Sequence, residues 1–201
     1  MNETRRKQEE IFVRKNFGAK PYTYPQPVFI IGTYGADGTP NAMNAAWGGI
    51  SEETELSMCL SPEHKTVENI LARGAFTVSM ADAAHVVECD FVGLVSGNDV
   101  PDKLEQAGFH AVKAEFVDAP YFEELPMTLE CKFISYDEES CRMVGEIVNV
   151  SADERILDEG GKIDPQKLNP IVYDPVHHAY WTLGERVGRA FHDGLKLKET
   201  Q

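Results

Sequence analysis

Cysteine is scarce in this 201-residue chain, with four residues at positions 59, 89, 131 and 141 and no C-x-x-C pair. That count and spacing exclude a disulfide scaffold and give no support to zinc or thioredoxin-like redox chemistry. Positive charge is also short: 19 Lys and Arg face 33 Asp and Glu, a formal net charge of −14. The sign is wrong for a counterion-releasing grip on nucleic acid or on an anionic membrane surface, so neither is expected as a partner. No apolar run approaches the roughly 18–20 residues of a membrane span, and MNETRRKQEE lacks the apolar stretch of a signal peptide. The expectation is a soluble cytoplasmic protein with reduced thiols. G-x-S-x-G, G-x-G-x-x-G and Walker A motifs are all missing, which removes the usual hydrolase elbow and the common nucleotide loops. His177 and His178 are adjacent, so on a strand they point to opposite faces and do not read as a metal site. No catalytic side chain and no metal ligand is assigned.

What is present is an ordinary globular mixture, 42% hydrophobic and 26% charged, of a length that one barrel or sandwich can fill. Residues 1–20 hold six of the basic side chains (Arg5, Arg6, Lys7, Arg14, Lys15, Lys20) against three acids and read as a basic arm. One domain is expected over 21–195, followed by a tail at 196–201. The apolar run 27–33 is too short for a helix and predicts a strand buried on both faces. A turn at 35–38, extended segments at 40–50 and 55–60, and a strand at 75–80 continue the pattern. Between 61 and 73 the period becomes helical, with Val67, Ile70 and Leu71 on one face. Its start is set either by Ser61 before Pro62 or by Thr66 with Asn69. Further helix is predicted at 84–95, and a turn of helix at 103–107 closed by Gly108. The clearest strand, 127–133, alternates Met127, Leu129, Cys131 and Phe133 toward a core with Thr128, Glu130 and Lys132 toward solvent. Its hairpin partner is 142–150, and a last extended run covers 173–182. Six or seven strands joined by short turns make a mainly β fold, an antiparallel barrel with peripheral helices.

Two segments carry candidate chemistry. Asn41-Ala42-Met43-Asn44-Ala45-Ala46-Trp47-Gly48-Gly49 sets many small side chains beside one indole. Either a flat ligand approaches this backbone closely, or small residues serve tight barrel closure while Trp47 fills the core. Ser61-Pro62-Glu63-His64-Lys65-Thr66 places hydroxyl, imidazole and ammonium donors at a helix entrance, a natural phosphate site.

The order P-x-P-V-x-I-I-G-T, G-x-P-N-x-M-N-A-A-W, S-P-E-H-K-T-V-E-N-I and then Gly74-Ala75-Phe76-Thr77-Val78-Ser79 resembles the flavin reductase-like family, which includes flavoredoxins. The likeness continues through Asp90-Phe91-Val92-Gly93, Ser96-Gly97, Asp102-Lys103, Ala107-Gly108-Phe109 and Leu129-Glu130-Cys131, covering roughly residues 22–192. The resemblance implies an FMN-binding split barrel of Greek-key topology with about six antiparallel strands, a homodimer with FMN near the subunit interface. Carried over by position, Asn41, Asn44, Ala45, Ala46 and Trp47 would line the isoalloxazine and ribityl groups. Cys59 and Ser61 would follow on the next strand, His64, Lys65 and Thr66 would hold the phosphate, and Lys103 would lie near the flavin. The implied activity is hydride or electron transfer through FMN from NADH, NADPH or a protein donor. The alternative is a flavoredoxin-like carrier that exchanges electrons with a protein such as a ferredoxin. The acidic segment 115–139 or the basic arm would dock such a partner, or is simply solvated surface. Tyr121, Phe122 and Leu125, apolar and outside the predicted strands, are candidates for the dimer contact.

Overall fold

In the computed structural model, which describes residues 13–198, the early apolar run is a strand with Phe29, Ile30 and Ile31 all buried. Residues 1–12 of the basic arm and 199–201 of the tail lie outside the described residues. A two-residue strand β1 (Gln26–Pro27) leads into β2 (Phe29–Tyr34). The chain then reverses through Gly35 and Gly38, whose φ of +85° is open to glycine at little cost, into β3 (Pro40–Ala45). There follow β4 (Gly48–Glu52), β5 (Glu55–Cys59), α1 (Lys65–Arg73) and β6 (Ala75–Met80). Helices α2 (Val86–Leu94) and α3 (Lys103–Ala107) precede a short pair, β7 (Ala111–Lys113) and β8 (Pro120–Phe122). The long hairpin β9 (Met127–Asp137) and β10 (Arg142–Ala152), then α4 (Pro165–Leu168), β11 (Ile171–Asp174) and β12 (Ala179–Thr182) are the remaining strands and α-helix of the described residues.

Seven strands form one antiparallel sheet in the order β3-β2-β6-β9-β10-β5-β4. Two smaller sheets, β1-β11-β12 and β7-β8, flank it, so the sheet carries one strand more than the six implied by the resemblance. β3 and β4 occupy opposite edges, yet only Ala46 and Trp47 separate them in the chain. In a flat sheet those edges would stand about 29 Å apart at the usual strand spacing of about 4.8 Å. Three Cα steps span at most about 11 Å, so the sheet has to curl until its edges nearly meet. They come together without a connecting ladder, which makes a split barrel. Gly48 shows the closure directly: a Cβ there would stand 2.9 Å from the Phe29 ring on β2, a strand next to the opposite edge. The single extended segment expected over 40–50 is therefore two strands, broken where the chain crosses from one edge to the other.

Alternation along β2 explains its double burial. Phe29 and Ile31 face the barrel interior with Leu56, Phe76, Val78 and Met143. Ile30 faces outward into a second core with Val92, Leu104 and Phe122 beneath α2 and α3. Helix α1 contributes Val67 and Ile70 to the barrel interior. Leu71, expected on that stripe, is 52% exposed, and Thr66 and Asn69 are buried instead. Neither proposed cap starts this helix: the N-cap is His64, in extended conformation, with no side-chain hydrogen bond.

Thr128 and Glu130 on β9 are buried rather than solvated. The Glu130 carboxylate accepts from the Phe116 amide at 2.7 Å and from Asn149 Nδ2 at 2.8 Å, because the segment leading into β8 covers that face. The same covering places Phe122 and Leu125 in the chain's own core, which removes them as candidate dimer contacts. His177 and His178 sit in the turn between β11 and β12 rather than in a strand, paired with Asp174 and with the Tyr173 hydroxyl respectively. Among the described residues no helix is long and apolar enough to cross a membrane.

Edge closure is testable by a pair of glycine substitutions. Gly48→Val should destabilise by about 1–3 kcal/mol through overpacking. Gly49→Val, whose Cβ meets nothing within 4 Å, should stay within about 0.5 kcal/mol of the parent in urea unfolding. Equal midpoints for the two would contradict contact between the barrel edges.

Candidate functional site

β3 is an edge strand, so its outer side has no ladder partner and is free to be wrapped by other elements. The start of α1, the segment after α2 and the start of α3 enclose it. Two adjoining cavities of about 380 and 250 Å3 result, with Asn41, Lys65, Gly97 and Lys103 in the walls of both. The smaller also takes in Asn44, His64 and Thr66, and the larger Asp37, Asn69 and Asn98. The larger has the size of a small-molecule site, roughly 300–1,000 Å3, and the smaller extends it.

Three features give this cleft chemical character. First, the amides of Lys65 and Thr66, at the head of the nine-residue α1, have no acceptor among the described residues. Together with the helix dipole they favour an anion. Second, Lys103 is only 3% exposed and its Nζ donates to the carbonyls of Val95 (3.2 Å) and Val92 (3.5 Å), with no carboxylate partner among the described residues. Burial disfavours its charged form and brings its pKa down from 10.5 to about 8. Third, Asn41 donates through Nδ2 to Thr66 Oγ1 at 3.1 Å, but its Oδ1 is buried without a partner. An orphaned acceptor of this kind costs about 1–3 kcal/mol, which a ligand hydroxyl or N–H placed there would recover. Gly97 stands against the same oxygen: a Cβ on it would lie 2.5 Å from Asn41 Oδ1.

Asn44 is held from the other side of the strand. Its Nδ2 donates to the Cys89 carbonyl at 2.9 Å, and its Cβ abuts Gly93 of α2. Near it the Tyr180 hydroxyl donates to Asp90 at 2.7 Å, and burial followed by this carboxylate holds the Tyr180 proton well above the ordinary phenol range. Asn41 and Asn44 lie on opposite faces of β3; both line one cleft because it wraps around the open edge.

The residues expected to bind one ligand are thus divided. Asn41, Asn44, His64, Lys65, Thr66 and Lys103 meet in this cleft. The Lys65 ammonium is already engaged by Glu68 at 2.8 Å, and the Ser61 hydroxyl donates to Glu63 at 2.7 Å. Ala45 packs against the barrel core. Trp47, 54% exposed, and Cys59 lie past the corner of the chain in a separate, open cleft of about 500 Å3 with Ser57 and Arg142. Ala46 borders a further cavity with Pro25 and Pro27. The walls supplied by Val95, Ser96 and Asn98, and the Asp90–Tyr180 pair behind Asn44, were not assigned to a site from sequence. Ser96-Gly97 and Asp90 did stand among the motifs, but the steric demand on Gly97 exists only once β3 lies against it.

The profile of the flavin reductase like domain matches residues 22–180. Among solved structures, the chain is similar to the flavoredoxin of Desulfovibrio vulgaris (Miyazaki F), with a TM-score of 0.87 and 38% identity, covering 90% of this chain and 100% of that one. It is also similar to the flavoredoxin from Methanosarcina acetivorans, with a TM-score of 0.80 and 28% identity over 92% of this chain and 98% of that one. An uncharacterized protein YddH of Escherichia coli (strain K12) is 30% identical over 158 residues, 73% of this chain and 80% of that protein.

Burial of Lys103 has a direct readout. An NMR titration of its side-chain resonances should show a midpoint near 8, with the charged form present below that pH and lost above it. A midpoint at the ordinary value above 10 would mean that the ammonium is solvated and the cleft far more open than described.

Proposed function

The chain belongs to the flavin reductase-like family, and from that premise we propose that it is an FMN-binding oxidoreductase that passes hydride or electrons through a flavin seated in the β3 cleft. The observation that carries this reading is the buried ammonium of Lys103 beside an orphaned acceptor, Asn41 Oδ1, and unpaired amides at the head of α1. This donor and acceptor set fits FMN. The amides of Lys65 and Thr66 suit its phosphate, with His64 at the rim. Asn41 Oδ1 suits a ribityl hydroxyl or a ring N–H.

FMN supplies the hydride and electron chemistry when bound. The chain's own residues orient and tune. Lys103 places positive charge in a water-poor wall, where it favours negative charge gathering on a reduced ligand. The backbone carbonyls of Val92 and Val95 hold that ammonium in place. Asn44, fixed by the Cys89 carbonyl, presents a rigid amide from the other face of β3. No side chain has to act as general acid or base.

NADH or NADPH is proposed as the donor. A second reading, a flavoredoxin-like carrier that exchanges electrons with a protein such as a ferredoxin, is favoured by the similarity to a flavoredoxin along that protein's full length. A homodimer is proposed as well.

Fluorescence titration should show FMN bound, and Lys103→Met should weaken it about 10- to 150-fold, the value of a hydrogen bond to a charged group. Failure of the parent protein to take up FMN would overturn the proposal. Anaerobic mixing of the loaded protein with NADH and NADPH then separates the two modes: fast bleaching with turnover marks the enzyme, and inertness to both with exchange to a reduced ferredoxin marks the carrier. Sedimentation at micromolar concentration should give the mass of a dimer; a flavin-loaded monomer would remove that part.

A further inference from the structure

The four cysteines fall into two kinds. Cys89 and Cys131 are buried, and burial pushes their thiols up to about 12, which leaves them unreactive. Cys59 is exposed and Cys141 partly so, and both stand at one end of the β5–β10 ladder.

Their closeness follows from the ladder. The Leu60 amide donates to the Cys141 carbonyl at 2.8 Å, so the residue after Cys59 is hydrogen-bonded to Cys141 itself. The Cys59 thiol points to the carbonyl of Ser140 at 4.0 Å, the carbonyl whose carbon is bonded to the Cys141 nitrogen. The Cys141 thiol points to the Glu138 carbonyl at 3.7 Å, so each sulfur stands against a carbonyl of the β9–β10 turn. Cys141 has a φ of +58°, a conformation uncommon outside glycine and asparagine, which takes its side chain out of the regular strand alternation. Arg142 stands directly opposite Cys59 in the ladder, and its side chain shares the open cleft with that thiol.

We propose that Cys59 and Cys141 are a thiol-oxidation site that closes to an intramolecular disulfide on exposure to a hydroperoxide. The Cys59 thiolate attacks the terminal oxygen of the peroxide, the O–O bond breaks, and water or an alcohol leaves, giving a sulfenic acid at Cys59. The Cys141 sulfur then attacks that sulfur, the S–S bond forms, the S–O bond breaks and water leaves. Two thiols give up two electrons, the peroxide takes both, and the two thiol protons leave on the departing oxygens. The Cys59 amide donates to the Trp47 carbonyl at 2.8 Å, so the bond forms beside the corner that joins the two barrel edges. This inference is independent of flavin binding.

The test treats the full chain with one equivalent of hydrogen peroxide, alkylates the remaining thiols, and maps peptides by mass spectrometry. The expected result is one peptide pair joining Cys59 to Cys141, with both thiols lost together and both restored by dithiothreitol. In Cys141→Ser, oxidation should stop at a Cys59 sulfenic acid that dimedone captures. Oxidation of Cys59 to the sulfinic acid with Cys141 still alkylated, a Cys59–Cys59 link between two chains, or no reaction at either thiol would each overturn the proposal. Mapping of the parent protein decides the matter if the serine variant does not fold.

Discussion

Two residues, Ala46 and Trp47, join strands that lie at opposite edges of a seven-stranded sheet, and most of the architecture follows from that short link. A link of this length cannot cross a flat sheet of seven strands, so the sheet curls and its edges approach. Curling encloses one apolar core inside the barrel. The outer side of β2 is left to be covered by α2 and α3, which is why that strand is apolar on both faces. Closure through the covalent chain, rather than through a ladder, also leaves the outer side of β3 without a partner strand. The cleft forms against that free edge, where Asn41 and Asn44 are both reachable although they point to opposite faces.

The electrostatics of the cleft run against those of the whole chain. A chain of formal net charge −14 holds a pocket whose own character is set by a desolvated ammonium and by helix amides. Distant acids are screened within about 8 Å at physiological salt, so the near groups decide what binds. Burying Lys103 with only carbonyl partners is unfavourable, as its lowered pKa records, and leaving Asn41 Oδ1 without a donor adds a further cost. Both costs fall when a ligand carrying negative charge and hydroxyl groups fills the site. Apolar side chains of α2, α3 and β2 supply the packing that holds the arrangement together in its absence.

Much of the fold was legible along the chain because its strands obey local periodicity. The run at 29–31, the alternation at 127–133, the hairpin partner after 142 and the helix ending at Gly74 all carry their signals in neighbouring residues. The misreadings have a common cause. Thr128 and Glu130 look solvated by pattern, yet a segment beginning more than ten residues earlier covers them and supplies the Phe116 amide. Phe122 and Leu125 look like spare surface, yet they fill the second core. Lys65 and Ser61 look like free donors, but each is taken up by a nearby glutamate.

Composition, spacing and motif order determined the family, the mainly β architecture and the residue types that gather at the head of α1, since each depends on what stands next to what. Only the folded chain decided that Trp47 and Cys59 part company with Asn41, because a turn between sheet edges reverses direction in space while leaving no mark in local periodicity. The same holds for Cys59 and Cys141, 82 positions apart in the chain, which the β5–β10 register brings to one end of the ladder, Cys59 opposite Arg142 and Leu60 bonded to Cys141.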